Sequence, residues 1–223
     1  MRKILIWGTC LLLLLPAMAS ATTYTGSLVV GGDPSAYSNI WFDEAGTDTY
    51  AWVGGGSIDT SYLDGDELAW LYCVDLLTSV SVKTTYESTL VSDNGEIYGD
   101  MYSSRAAVAW LLDNYAASGQ GDNAKALQAA IWTTVHGSEY DMGSGSSAFN
   151  IYKAMLAALD LAPETGTVGN YLWLSPRMDS SNTFSQGLVG VKVSAPVPEP
   201  ATMLLFGTGL VGLVGSRLRK KRK

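Results

Sequence analysis

Two side chains in this sequence could react with one another. Cys73 stands in Leu71-Tyr72-Cys73-Val74-Asp75, and Gln128 stands further on in Leu127-Gln128-Ala129-Ala130-Ile131-Trp132. A cysteine thiolate is a nucleophile. Its attack on the side-chain carboxamide carbon of a glutamine would expel ammonia and leave a γ-glutamyl thioester. Such a step needs the two groups held in contact and water kept out. A lysine amine opening that bond would form an amide, and a sugar hydroxyl would form an ester. Each residue also has an ordinary reading: a buried cysteine behaves as a small apolar side chain, and a glutamine at a helix boundary needs only a hydrogen-bonding partner.

The chain's other cysteine, Cys10, lies in an N-terminal segment with the marks of a secretory signal peptide. Met1-Arg2-Lys3 is followed by an apolar run from Ile4 to Leu15, then Pro16 and the small-residue sites Ala17-Met18-Ala19 and Ala19-Ser20-Ala21. Cleavage after Ala19 or Ala21 removes Cys10 with residues 1–21. Cys73 is then alone and cannot form an internal disulfide, and a lone thiol in an oxidising compartment is prone to oxidation unless it is protected or used.

The residues near this pair suggest helpers. Tyr72 and Trp132 are candidates for shaping a dry pocket, with plain core aromatics as the alternative. Asp75 is two residues beyond Cys73, so on a strand it shares a face with it and could orient a nucleophile or accept its proton. The single histidine, His136, falls at the end of the Gln128 helix about 12 Å along its axis. It reads as a surface residue at a helix C-terminus, so a Cys73–His136 hydrolase pair is disfavoured. The chemistry expected is a self-formed bond, not turnover, with no catalytic residues and no cofactor.

The elements that must hold the pair can be read from periodicity. Tyr24 to Val30 is strand-like and is broken at Gly31-Gly32-Asp33-Pro34. Tyr50 to Tyr62 reads as two short strands about the turn Gly54-Gly55-Gly56. Glu67 to Leu77 is apolar on both alternating faces, which predicts an interior strand carrying Cys73. Val80 to Val91 alternates as a half-exposed strand. Asp93-Asn94-Gly95-Glu96 follows as a turn whose spacing does not match an oxygen-ligand calcium loop, so no metal site is expected.

Three helices are then predicted over about residues 103–161. The first is capped by Ser103 or Ser104, carries Val108, Leu111, Leu112 and Tyr115, and stops near Gly119. The second is capped by Asp122 or Asn123, has the stripe Ala124, Leu127, Ile131 and Val135, and ends at Gly137. Gln128 lies at the edge of that stripe. The third is capped by Ser146 or Ser147 and carries Phe149, Tyr152, Leu156 and Leu159 ahead of Pro163. Strand character returns at Tyr171 to Leu174 and Leu188 to Val193. The expectation is an α+β domain over 22–195, a β-sandwich or barrel with an inserted three-helix lobe.

The pairing of an aromatic-Cys segment with a Gln-x-Ala-Ile-Trp segment resembles the Cys-Gln thioester domains of bacterial surface adhesins, with Leu127 where that family usually has Thr or Tyr. The resemblance implies a covalent Cys73–Gln128 thioester that captures an amine- or hydroxyl-bearing ligand. At the other end, Val197-Pro198-Glu199-Pro200 precedes an apolar stretch from Ala201 to Ser216 and the basic tail Arg217, Arg219, Lys220, Lys221, Arg222 and Lys223. As a helix that stretch is about 24 Å long, marginal against a hydrocarbon core of about 30 Å, and it also reads as a plain tail anchor. Residues 196–223 resemble a PEP-CTERM sorting signal. That resemblance implies a Gram-negative exported protein, held transiently in the inner membrane and cut by an exosortase-type enzyme. Cell surface, biofilm or exopolysaccharide matrix is then its expected destination.

Between the two ends only Lys83, Arg105, Lys125, Lys153, Arg177 and Lys192 are basic, against all but one of the 21 acidic residues. No basic patch remains to follow a phosphate backbone, which argues against a nucleic-acid partner. A non-covalent structural or polysaccharide-associated matrix protein with an inert cysteine is the alternative function.

Overall fold

The computed structural model describes residues 22–32, 38–43, 46–116, 121–162, 166–177 and 183–193. The segment expected to be a signal peptide, the Pro198-Glu199-Pro200 motif, the apolar stretch after it and the basic tail lie outside the described residues. The chain forms two units, Met1–Val191 and Lys192–Lys223, and the architecture below is that of the first.

Among the described residues, ten strands and three α-helices follow in the order β1 (Thr23–Val30), β2 (Ser38–Phe42), β3 (Ala51–Gly55), β4 (Ser61–Leu63), β5 (Asp66–Cys73), β6 (Thr84–Ser92), β7 (Glu96–Ile97), β8 (Asp100–Met101), α1 (Arg105–Tyr115), α2 (Asp122–His136), α3 (Phe149–Asp160), β9 (Leu172–Ser175) and β10 (Leu188–Lys192). Six strands close a barrel in the order β1-β4-β5-β10-β9-β6, while β2 with β3 and β7 with β8 form separate two-stranded sheets. Of the two expected architectures, the barrel is the one observed. Closure leaves none of its strands with a free edge.

The helices are inserted between β8 and β9, and the middle one binds the two halves of the fold. α2 packs on α1 and α3 and also meets β2, β3 and β5. Its residues Ala126 through Thr133 are all buried, so it is a core helix rather than the one-sided amphipathic helix its stripe predicted. Short alanines at positions 126, 129 and 130 allow neighbours to approach from every side. α3 buries Tyr152 and Met155, whereas Phe149, Leu156 and Leu159 are only half-buried. Neither Ser104 before α1 nor Gly121 before α2 makes a side-chain cap; Gly137 ends α2 with φ 112°, a value that suits glycine.

The observed strands differ from the expected ones at β5, at β6, at β2 with β3, and at β7 with β8, which had not been predicted. β5 stops at Cys73, four residues short of Leu77. Asp75 Oδ1 accepts the N–H of Leu77 at 2.9 Å and Asp75 Oδ2 accepts the hydroxyl of Thr78 at 2.5 Å, and this side-chain turn competes with the strand ladder. β6 begins at Thr84 instead of Val80. Gly54 and Gly55 belong to β3, which pairs with β2 in the register Trp41↔Trp52 and Ile40↔Val53; β2 had not been predicted.

Candidate functional site

Cys73 and Gln128 meet in the interior. β5 delivers Cys73 at its last position, where the strand is held on one side by the backbone exchange between Leu71 and Ile58, at 2.8 and 3.0 Å, and beyond its end by Val74 N–H donating to Gly187 O at 2.8 Å. α2 delivers Gln128 from its second turn, and the side chain is fully buried. Cys73 N–H donates to Gln128 Oε1 at 2.9 Å, and Gln128 Nε2 donates to Cys73 O at 2.6 Å. The carboxamide thus docks on the Cys73 peptide as a neighbouring strand would, and both of its polar atoms are satisfied.

A strand backbone presses the glutamine into place. A Cβ on Gly55 would lie 2.9 Å from Gln128 Cγ, 2.9 Å from Trp132 Cη2 and 2.7 Å from Ile40 Cδ1, so only glycine fits this approach. Trp132 itself stands edge-on to Phe42 with ring centroids 5.3 Å apart, and its indole nitrogen, buried, has no hydrogen-bond partner.

Cys73 is 5% exposed and lies at the wall of a cavity of about 400 Å³ whose other walls include Trp52, Gly55, Leu76, Val80, Trp132 and Gln186. Trp132 therefore lines the cavity beside Cys73. Tyr72 does not: it packs edge-on against Trp70, with centroids 5.5 Å apart, and is not among the cavity's walls. Burial, followed by the negative charge of Asp75, pushes the Cys73 thiol up to about 12, so it is protonated at neutral pH.

Asp75 is not a strand neighbour of Cys73. Its carboxylate is taken by Leu77 N–H, by Thr78 and by the Tyr98 hydroxyl at 2.9 Å, and its carbonyl accepts from Gln186 Nε2 at 2.5 Å. It shapes the loop 74–80 that walls the cavity. His136 is not a surface residue either. Its Nε2 accepts the N–H of Leu76 at 3.1 Å and lies 3.8 Å from Asp75 Oδ1. With its one lone pair committed to that loop it has no acceptor to offer Cys73. Burial lowers its pKa and the Asp75 charge opposes this.

Among the described residues no group of three His, Cys, Asp or Glu side chains could hold a metal ion. In the turn before β7, the Asp93 carboxylate instead accepts the N–H and hydroxyl of Thr22 at 2.8 and 2.9 Å.

Residues 196–220 match the PEP-CTERM protein-sorting motif. The chain carries the sorting signal of an exported protein, of the kind that exosortase-type enzymes recognise. Neither the curated proteins nor the solved structures contain a match to the chain. Among the described residues no helix is long and apolar enough to cross a membrane.

Sequence reasoning missed Trp52, Gly55, Ile58, Leu76, Val80 and Gln186 as walls of the site. The run Gly54-Gly55-Gly56 held a signal, because glycine within a strand marks close backbone approach as well as a turn. Gln186 carried none, since it reaches the site only through barrel closure.

Proposed function

We propose that this exported protein attaches covalently to an amine or hydroxyl target at the cell surface or in the extracellular matrix through a Cys73–Gln128 thioester, after an exosortase-type enzyme has cut near Pro198-Glu199-Pro200. The observation that carries the reading is the docking of the Gln128 carboxamide on the Cys73 peptide at the wall of a cavity. In the proposed step the Cys73 sulfur bonds to the Gln128 carboxamide carbon. The Cys73 N–H, already directed at Oε1, stabilises the oxygen as it gains charge. The thiol proton passes to Nε2, the carbon–nitrogen bond breaks, and ammonia leaves.

Burial serves this chemistry in both directions. It makes a free thiolate costly, but a thioester sulfur has no charge to bury, and the same apolar walls slow its hydrolysis. An incoming amine or hydroxyl forms the new acyl bond and supplies the proton that returns sulfur to the thiol. This is a single self-consuming event rather than turnover.

A second reading has its own observation. Because both carboxamide atoms are already satisfied and the thiol is held neutral, the pair also suits an inert clasp between α2 and β5 in a non-covalent matrix protein. Intact mass separates the two. Freshly prepared protein with the thioester is lighter by one ammonia than its sequence, resists thiol reagents, and gains methylamine at Gln128 with release of the thiol. Full mass, with no methylamine gained at Gln128, selects the clasp.

A further inference from the structure

The cavity beside Cys73 is lined by two unlike kinds of residue. One is Trp52, 61% exposed, although it is a large apolar side chain in a strand. It rests on Trp41, its cross-strand partner, with centroids 5.1 Å apart, and Trp41 in turn stacks on Tyr50 at 6.1 Å. This stack is anchored. The Tyr50 hydroxyl donates to Asp141 at 2.6 Å, and Gly143 N–H donates to Trp41 O at 2.8 Å. A Cβ on Gly143 would come within 2.1 Å of Trp41 Cδ1. Trp52 is therefore an exposed ring on a fixed base, which loses little freedom when a ligand covers it.

The lining also includes Thr78, Ser79 and Gln186, all neutral hydrogen-bonding residues. Gln186 spends its Nε2 on Asp75 O, leaving its carbonyl oxygen as an acceptor, and the Thr78 hydroxyl donates to Asp75 and lies 3.2 Å from the Tyr98 hydroxyl, leaving a lone pair. Among the described residues no charged side chain lines the cavity. The nearby Asp75 carboxylate is consumed by Leu77, Thr78 and Tyr98, so it offers little to a lysine ammonium.

We propose that this cavity binds a neutral saccharide, with the apolar face of one pyranose ring on Trp52 and its hydroxyls toward Thr78, Ser79 and Gln186. A ring with carbon–hydrogen bonds on its faces and hydroxyls around its rim matches a cavity lined by an exposed aromatic ring and neutral polar groups. Only the fate of the bound sugar rests on the thioester reading. There, a hydroxyl near Cys73 adds to the Gln128 acyl carbon, its proton goes to the sulfur, and an ester and a free thiol result. Binding itself needs no bond.

The test separates the two steps. Full-length protein carrying Cys73→Ala, which cannot form a thioester, is titrated with cellohexaose, maltohexaose, chitohexaose and an end-blocked lysine peptide, with binding followed by calorimetry. At least one hexaose is expected to bind, Trp52→Ala added to that chain should weaken it by about tenfold, and Trp52→Phe should restore most of the affinity. Because Trp52 is largely exposed, these variants keep the fold. Binding of no hexaose, binding unchanged by Trp52→Ala, or binding of the lysine peptide alone overturns the proposal. The intact mass of the wild-type chain, measured in parallel, judges the thioester independently of any sugar.

Discussion

At the scale of single residues, Gln128 does more for the fold than a reactive group requires. Its carboxamide satisfies the N–H and C=O of Cys73, two backbone groups that lose these partners once the side chain is gone. Gln128→Ala is therefore expected to cost about 3 kcal/mol or more, from two orphaned polar groups at about 1–3 kcal/mol each. Cys73→Ala keeps both hydrogen bonds and should cost about 1 kcal/mol. Neither variant can form the bond, so the difference between their urea midpoints measures the clasp alone; equal midpoints would show that it contributes nothing. The sequence marked Gln128 as a residue needing a partner, but not which atoms the partner would offer. A side chain's bond to a distant backbone leaves no pattern in the residue types.

At the scale of elements, α2 reaches the site from both ends of its second half. Gln128 holds the end of β5, and His136 holds the loop after it by accepting the Leu76 N–H. Protonation of His136 removes that acceptor. The groups that face it are Asp75 Oδ1 at 3.8 Å and the Tyr140 ring at 5.4 Å, and burial outweighs the Asp75 charge, so its native pKa falls below the ordinary 6.5. The unfolded chain then binds the proton first. Stability is full above 6.5 and declines as pH falls from there toward the lowered native value. Urea midpoints taken from about pH 7.5 to about pH 5 should fall more steeply for the wild type than for His136→Gln, which cannot take up the proton; parallel slopes would refute this. Much of this layer was legible: β1, β9, β10 and the three helices fall close to where periodicity put them. The β5 boundary was not, because Val74-Asp75-Leu76-Leu77 looks like continued strand until the Asp75 side chain captures Leu77 N–H. β2 was missed for a related reason, since Ser38–Phe42 is short and gains its strand geometry from β3.

At the scale of the whole molecule, the ends and the body answer to different physics. The sorting motif at 196–220 was readable because it is a linear signal, whereas the choice between sandwich and barrel depends on which distant strands pair. Protein recovered outside the cell should begin near Ser20 or Thr22 and lack everything after Pro198-Glu199-Pro200, and Glu199→Ala should leave the chain in the membrane fraction. Terminal peptides identified by mass spectrometry check both, and an extracellular product that retains its basic tail would contradict them. The barrel closes through β10, the last strand made, which sits between β5 and β9. Gly187 and Gln186, just ahead of that strand, also secure Val74 and Asp75 beside Cys73. Synthesis and passage through a membrane proceed from the N-terminus, so Cys73 emerges well before the segment that completes its shelter. For that interval the thiol is open to oxidants, and the pace of translocation relative to oxidation sets the share of molecules that reach the outside with usable sulfur.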